Sequence, residues 1–196
     1  MRKEYDPPKV PNAIPIRILT MGLEKELTGH DGRSIANFIL NSYDPTIWSL
    51  SNKKINKLIY FVHGISLVRF DHKLVRNYFE AWDHGPVIRV VYDAFKKFGF
   101  APVQGLATYI DLFDHTEKVV STEPITSREC EFISRVVSTY VRYSADELEA
   151  MTHAPGSPWH HVKNLPADDS PYQNRISDQL IREYFMQTVG EKRDLN

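Results

Sequence analysis

Residues 51–68, SNKKINKLIYFVHGISLV, decide the fold. Ile55, Leu58, Ile59, Val62 and Ile65 recur at the three-and-four spacing of a single helix face. Tyr60, Phe61, Leu67 and Val68 fill most of the remaining circumference. A helix apolar on nearly every side has no solvent face of its own, so other elements must surround it. Ser51 or Asn52 can cap its start. Lys53, Lys54 and Lys57 sit on the first turns and read as a solvated helix end. His63, inside the apolar run, reads as a buried neutral imidazole bonded to a carbonyl. The apolar run is broken by His63, Gly64 and Ser66 and is far short of the roughly 20 residues that a bilayer span needs. No membrane partner is expected.

Moving outward, the punctuation predicts further helices. Ile35, Phe38 and Ile39 share a face before Pro45. Gly85 and Pro86 read as a helix start, because proline suits the first helical position. Val87, Val91, Ala94, Phe95 and Phe98 would form that helix's buried stripe, and Gly99 would stop it. Between Leu106 and Ile125 the period is poor, and residues 108–113 and 118–121 can pair as a small β-hairpin. Thr126 with Glu129, and Ser144 with Glu147, have capping-box spacing. Ser157 with Pro158 starts another turn, and Ser177 caps a last helix whose Ile181 staples back onto Ile176. The fold class is therefore mainly α: one compact helical domain over residues 31–187, with a central buried helix. Residues 188–196 read as a frayed tail.

Residues 1–30 have a different character. Pro7, Pro8, Pro11 and Pro15 oppose helix and favour an extended arm. Within it Ile14, Ile16 and Ile18 alternate with Pro15 and Arg17, giving a strand-like apolar face that packs on its own domain or on a partner. Composition limits the partners. The 196 residues carry 24 Lys and Arg against 25 Asp and Glu, so no global field attracts nucleic acid. The prolines and acids near the start do not resemble a signal peptide. A single cysteine, Cys130, permits no internal disulfide and fits a reducing cytoplasm.

Chemical motifs are sparse. There is no phosphate-cradling glycine loop, nucleophile elbow or HExxH pair, so neither a catalytic set nor a cofactor is expected. His160 and His161 are neighbours and point apart on a helix. His84, His153 and His160, with Asp83, could meet only through tertiary folding; that set is the one route to a metal-dependent hydrolase, and no metal site is expected from it. Cys130 reads as a structural thiol at the edge of the core. Two segments combine histidine, a tight turn and tryptophan: EAWDHGPV at 80–87 and THAPGSPW at 152–159. Core packing with indole N–H groups bonded to loop carbonyls would explain both tryptophans.

These segments also fall into an ordered set: IANFIL at 35–40, LSNKKINKLIYFVHG at 50–64, FEAWDHGPVIRVVYDAFKKFG at 79–99, MTHAPGSPW at 151–159 and ISDQLIREYF at 176–185. In that order they resemble the motifs of the SocA-like, Panacea-domain antitoxins, a family also met as phage-associated GepA-like proteins. Asn56 departs from the family's usual glutamine, and Asp83 and His84 stand where Lys-Tyr is commoner. The resemblance implies a helical, non-enzymatic domain that neutralises a cognate protein toxin, encoded nearby, by direct binding. One relative instead delivers its toxin to a protease, which makes a proteolytic adaptor, with a protease or chaperone partner, the alternative. Under either reading Trp82, Asp83, His84, His153 and Trp159 are the expected partner contacts, joined by Ile14, Ile16 and Ile18 of the arm.

Overall fold

The structure is a computed structural model and describes residues 29–166 and 170–190. The expected arm with Ile14, Ile16 and Ile18 lies outside the described residues. Asp31 caps α1 (Gly32–Ser42) through a side-chain bond from the Arg33 amide. Ser51 caps α2 (Asn52–Phe70), accepting from the Lys54 amide. There follow β1 (Phe79–Trp82), β2 (Gly85–Val87) and α3 (Arg89–Phe95). Next come β3 (Thr108–Ile110), β4 (Glu117–Val119), α4 (Ser127–Tyr140), α5 (Ala145–Thr152) and α6 (Pro158–Lys163). A short β5 (Arg175–Ile176) leads into α7 (Asp178–Gly190). Both expected capping boxes form, at Thr126/Glu129 and Ser144/Glu147. Ser157 caps α6, with Pro158 in its first turn. Ser177 accepts from the Leu180 amide at the start of α7.

The central position of α2 follows from its composition. It packs against α1, α3, α4, α5, α7 and β2. Ile55, Leu58, Ile59, Tyr60, Phe61, Val62, Ile65 and Leu67 are all buried. Tyr60 meets Phe79 and Phe185 edge-on, while Phe61 stacks on Tyr140 at 4.3 Å between centroids. Gly64 lets α7 approach, since a Cβ there would lie 2.5 Å from the Phe185 ring.

Three expectations are corrected. Gly85 and Pro86 do not start a helix: they form β2, which pairs antiparallel with β1 in the register Glu80 to Val87, Ala81 to Pro86 and Trp82 to Gly85. The helix begins only at Arg89. Gly85 has φ +93°, which belongs to a hairpin turn rather than to a first helical turn. The lysines of α2 are not solvated: Lys54 is buried and Lys57 is 0 % exposed. The helix has no solvent face even at its first turns, and the amines are drawn to polar groups of neighbouring elements. Finally, His63 faces a carboxylate rather than a carbonyl. Its Nδ1 accepts from the Val75 amide and its Nε2 lies 3.2 Å from Asp178 Oδ1, which leaves the ring proton on Nε2.

The expected hairpin at 108–121 forms as β3 and β4, with Thr108 opposite Val119 and Ile110 opposite Glu117. A second small sheet has the order β2-β1-β5. No helix among the described residues is long and apolar enough to cross a membrane.

Candidate functional site

The EAWDHGPV hairpin is fastened to α2 by polar side chains spaced one turn apart on that helix. Lys57 Nζ donates to the Pro86 carbonyl at 3.0 Å. Asn56 Oδ1 accepts from the Ile88 amide at 2.9 Å, while its Nδ2 donates to Asn52 Oδ1 and to the Asn52 carbonyl. Asn52 Nδ2 donates in turn to the Tyr92 carbonyl at 3.0 Å. These bonds satisfy backbone groups around the β2–α3 junction that would otherwise be buried without partners. Gly85 is required twice over: for its positive φ, and because a Cβ would lie 2.7 Å from both Lys57 Cε and Thr152 Oγ1.

The second signature closes on the first. Trp159, in the first turn of α6, donates from Nε1 to the Trp82 carbonyl at 2.6 Å. His153 stacks flat on Trp159 with 3.6 Å between ring centroids. Trp82 itself is half-buried, bonds to Glu80 Oε2 through Nε1, and carries the Arg89 guanidinium over its ring. The core-packing explanation with carbonyl-bound indoles therefore holds for Trp159's hydrogen bond but not for Trp82, whose partner is a carboxylate at the protein surface.

Electrostatics divide the site into an inner and an outer part. Burial pushes the Lys57 amine down to about 7, opposed by the charge of Glu149. Burial would also lower Lys53, but bonds to Asp146 at 2.5 Å and Glu149 at 2.6 Å outweigh it and hold that amine above its ordinary value. Burial lowers His153 and favours a neutral ring against Trp159. At the outside, His84 Nδ1 lies 3.3 Å from Glu149, and Asp83, whose side chain is 90 % exposed, pairs with Lys163 at 2.8 Å. Two open depressions flank this point. One of about 580 Å³ is walled by Asn52, Trp82, Tyr92, Phe100 and Lys163; the other, of about 650 Å³, by Glu149, His153 and Pro155, with Lys53 and His84 lining both.

The fold thus brings Trp82, Asp83, His84, His153 and Trp159 into one neighbourhood. Within it the side chains of Asp83, His84 and His153 do not converge on a common point. His84 turns to Glu149, Asp83 to Lys163, and His153 to Trp159, and among the described residues no three His, Cys, Asp or Glu side chains gather as a metal site. Cys130 is partly buried, near the Ile125 carbonyl, and burial raises its thiol. Sequence reasoning missed Asn52, Asn56 and Lys57 as the groups that hold the hairpin. Their signal was present, since Asn56 and Lys57 stand among Ile55, Leu58 and Ile59 in the apolar stretch of the central helix.

The arrangement defines a helical scaffold that carries a small hairpin locked on by internal polar bonds, with Lys53 and Asp83 held in ion pairs at its edge. The chain belongs to the SocA-like antitoxin family: residues 55–160 match the family described as "Antitoxin SocA-like, Panacea domain". It is similar to "Antitoxin SocA" of Caulobacter vibrioides (strain NA1000 / CB15N), 36% identical over 155 residues that cover 79% of this chain and 82% of the relative. No solved structure matches the chain.

Proposed function

We propose that this chain is a non-enzymatic antitoxin that neutralises a cognate protein toxin, encoded beside it, by direct binding. One observation carries the reading beyond family membership. The signature residues spend their chemistry inside the scaffold: Lys57 on Pro86, Asn56 on Ile88, Trp159 on Trp82. A catalytic cleft would instead present a base or nucleophile toward its substrate. The motifs build a platform, and the exposed rim of that platform, Trp82, Asp83 and His84, together with Ile14, Ile16 and Ile18 of the arm, is offered to the toxin. Expression of the neighbouring gene alone should arrest growth, and co-expression with this chain should restore it. Growth arrest that persists on co-expression would refute the reading. Restored growth with the toxin's half-life unchanged or longer supports masking; a shortened half-life would move the mechanism to proteolytic delivery.

A further inference from the structure

The most exposed apolar surface of the described chain is not at the signature cleft. It is the β3–β4 hairpin, where Leu112 is 85% and Phe113 97% exposed at the tip. Ile110 and Val119 follow on one face of the ladder, more than half exposed. The register makes them diagonal neighbours on that face, since Thr108 opposes Val119 and Ile110 opposes Glu117. Leu112 and Phe113 project from the turn beyond that face, so one small hairpin exposes four large apolar side chains as a knob.

The knob is held in shape before anything binds. At its base Asn37 of α1 donates to the carbonyls of both Ala107 and Val120 and accepts from the Ala107 amide, clamping the two strands where they leave the core. At its tip Asp111 Oδ1 accepts from the amides of Phe113 and Asp114, Asp114 accepts from Thr116, and Lys118 reaches both aspartates. A two-stranded hairpin alone is marginal in water, so these bonds maintain an exposed shape that internal packing does not require. Preorganised apolar anchors of this kind lower the ordering cost of association. Charge restricts the partner further: Lys118 pairs with Asp111 and Asp114, Glu117 bonds only the Thr108 hydroxyl, and the three carboxylates against one amine leave the hairpin net acidic.

We propose that the β3–β4 hairpin is a docking surface for the toxin, inserting Leu112 and Phe113 into an apolar pocket of that protein rimmed by basic side chains. This rests on the antitoxin reading and adds the surface and the chemistry of the partner. The opposite charge of the rim steers association, and the tip residues act as the buried anchors.

The test uses the full chain and the purified product of the neighbouring gene, once co-expression has shown that the wild-type chain neutralises it. The double substitution Leu112→Ser with Phe113→Ser should weaken binding by roughly thirtyfold or more, as truncation of central anchors does, with an unchanged circular dichroism spectrum. Glu117→Lys should slow association and reduce its salt dependence. A third variant, Phe113→Cys in a Cys130→Ser background, reports what covers the tip. Maleimide labelling should be fast in the free chain and independent of its concentration, and at least tenfold slower in the complex. Slow labelling of the free chain would mean that its own residues 1–28 cover the tip, and slowing with concentration that a second copy does; either overturns the proposal. So does unchanged affinity of the serine variant. Failure of the wild-type chain to neutralise the neighbour is a separate result and counts against the antitoxin reading itself.

Discussion

Lys57 concentrates the residue-scale physics of this protein. A primary amine taken fully out of water loses the hydration of its charged form, and one carbonyl bond does not replace it. The folded state therefore lowers the amine to about 7 from an ordinary 10.5. A lysine lowered in the fold binds fewer protons there than in the unfolded chain between those two values. Stability should thus rise with pH from about 7 to about 10.5, because deprotonation removes the penalty of a buried charge. Below pH 7 the full penalty is present. The contribution is on the order of 1.4 kcal/mol per pH unit at its steepest. Urea unfolding at pH 7 and pH 9.5 should show this rise for the wild-type chain and a smaller one for Lys57→Met. Equal slopes in the two proteins would show that the amine does not titrate where its burial places it. The same residue shows why Gly85 matters: the amine lies so close under the hairpin that no side chain fits above it.

At the scale of elements, the principal contact is α2 against α7, and Gly64 sets its closeness. With a Cβ 2.5 Å from Phe185, Gly64→Ala forces the last helix outward or rotates a ring that also touches Tyr60 and Phe61. The expected cost is about 1–3 kcal/mol, typical of an overfilled core. Chemical denaturation should show a lower midpoint with an unchanged slope, and a midpoint equal to the wild type would mean that α7 yields freely. The helices and their caps were legible in the sequence because capping is local: Ser51, Thr126, Ser144 and Ser157 each bond an amide three residues on. The β1–β2 hairpin was not. Gly-Pro suits a helix start as well as a bulged turn, and what selects the turn is the pairing of Glu80 with Val87 together with bonds from Asn56 and Lys57, residues some 30 positions earlier.

For the whole molecule, the described residues form a domain with its own core around α2, and residues 1–30, read from the sequence as an extended arm, precede the five family motifs. If that arm supplies toxin contacts through Ile14, Ile16 and Ile18, deletion of residues 1–29 should leave cooperative thermal unfolding intact and abolish rescue of growth. Retained rescue would show that contacts on the folded domain suffice and that the arm supplies none.

By itself, the sequence determined the central helix, the caps, the mainly helical class and, through five ordered motifs, the family. The helix, its caps and the helical class depend on periodicity or on bonds between residues a few positions apart, and the family on resemblance to its motifs. Only the tertiary structure decided that the lysines of α2 turn inward, that EAWDHGPV is a hairpin fixed to that helix, and that Asp83, His84 and His153 turn to separate partners. Those outcomes depend on which distant partner satisfies a buried polar group, and nothing in the local pattern names that partner. The signature therefore marks the scaffold's internal joint, while the exposed apolar tip at Leu112 and Phe113 emerged only once the fold showed what the core had left uncovered.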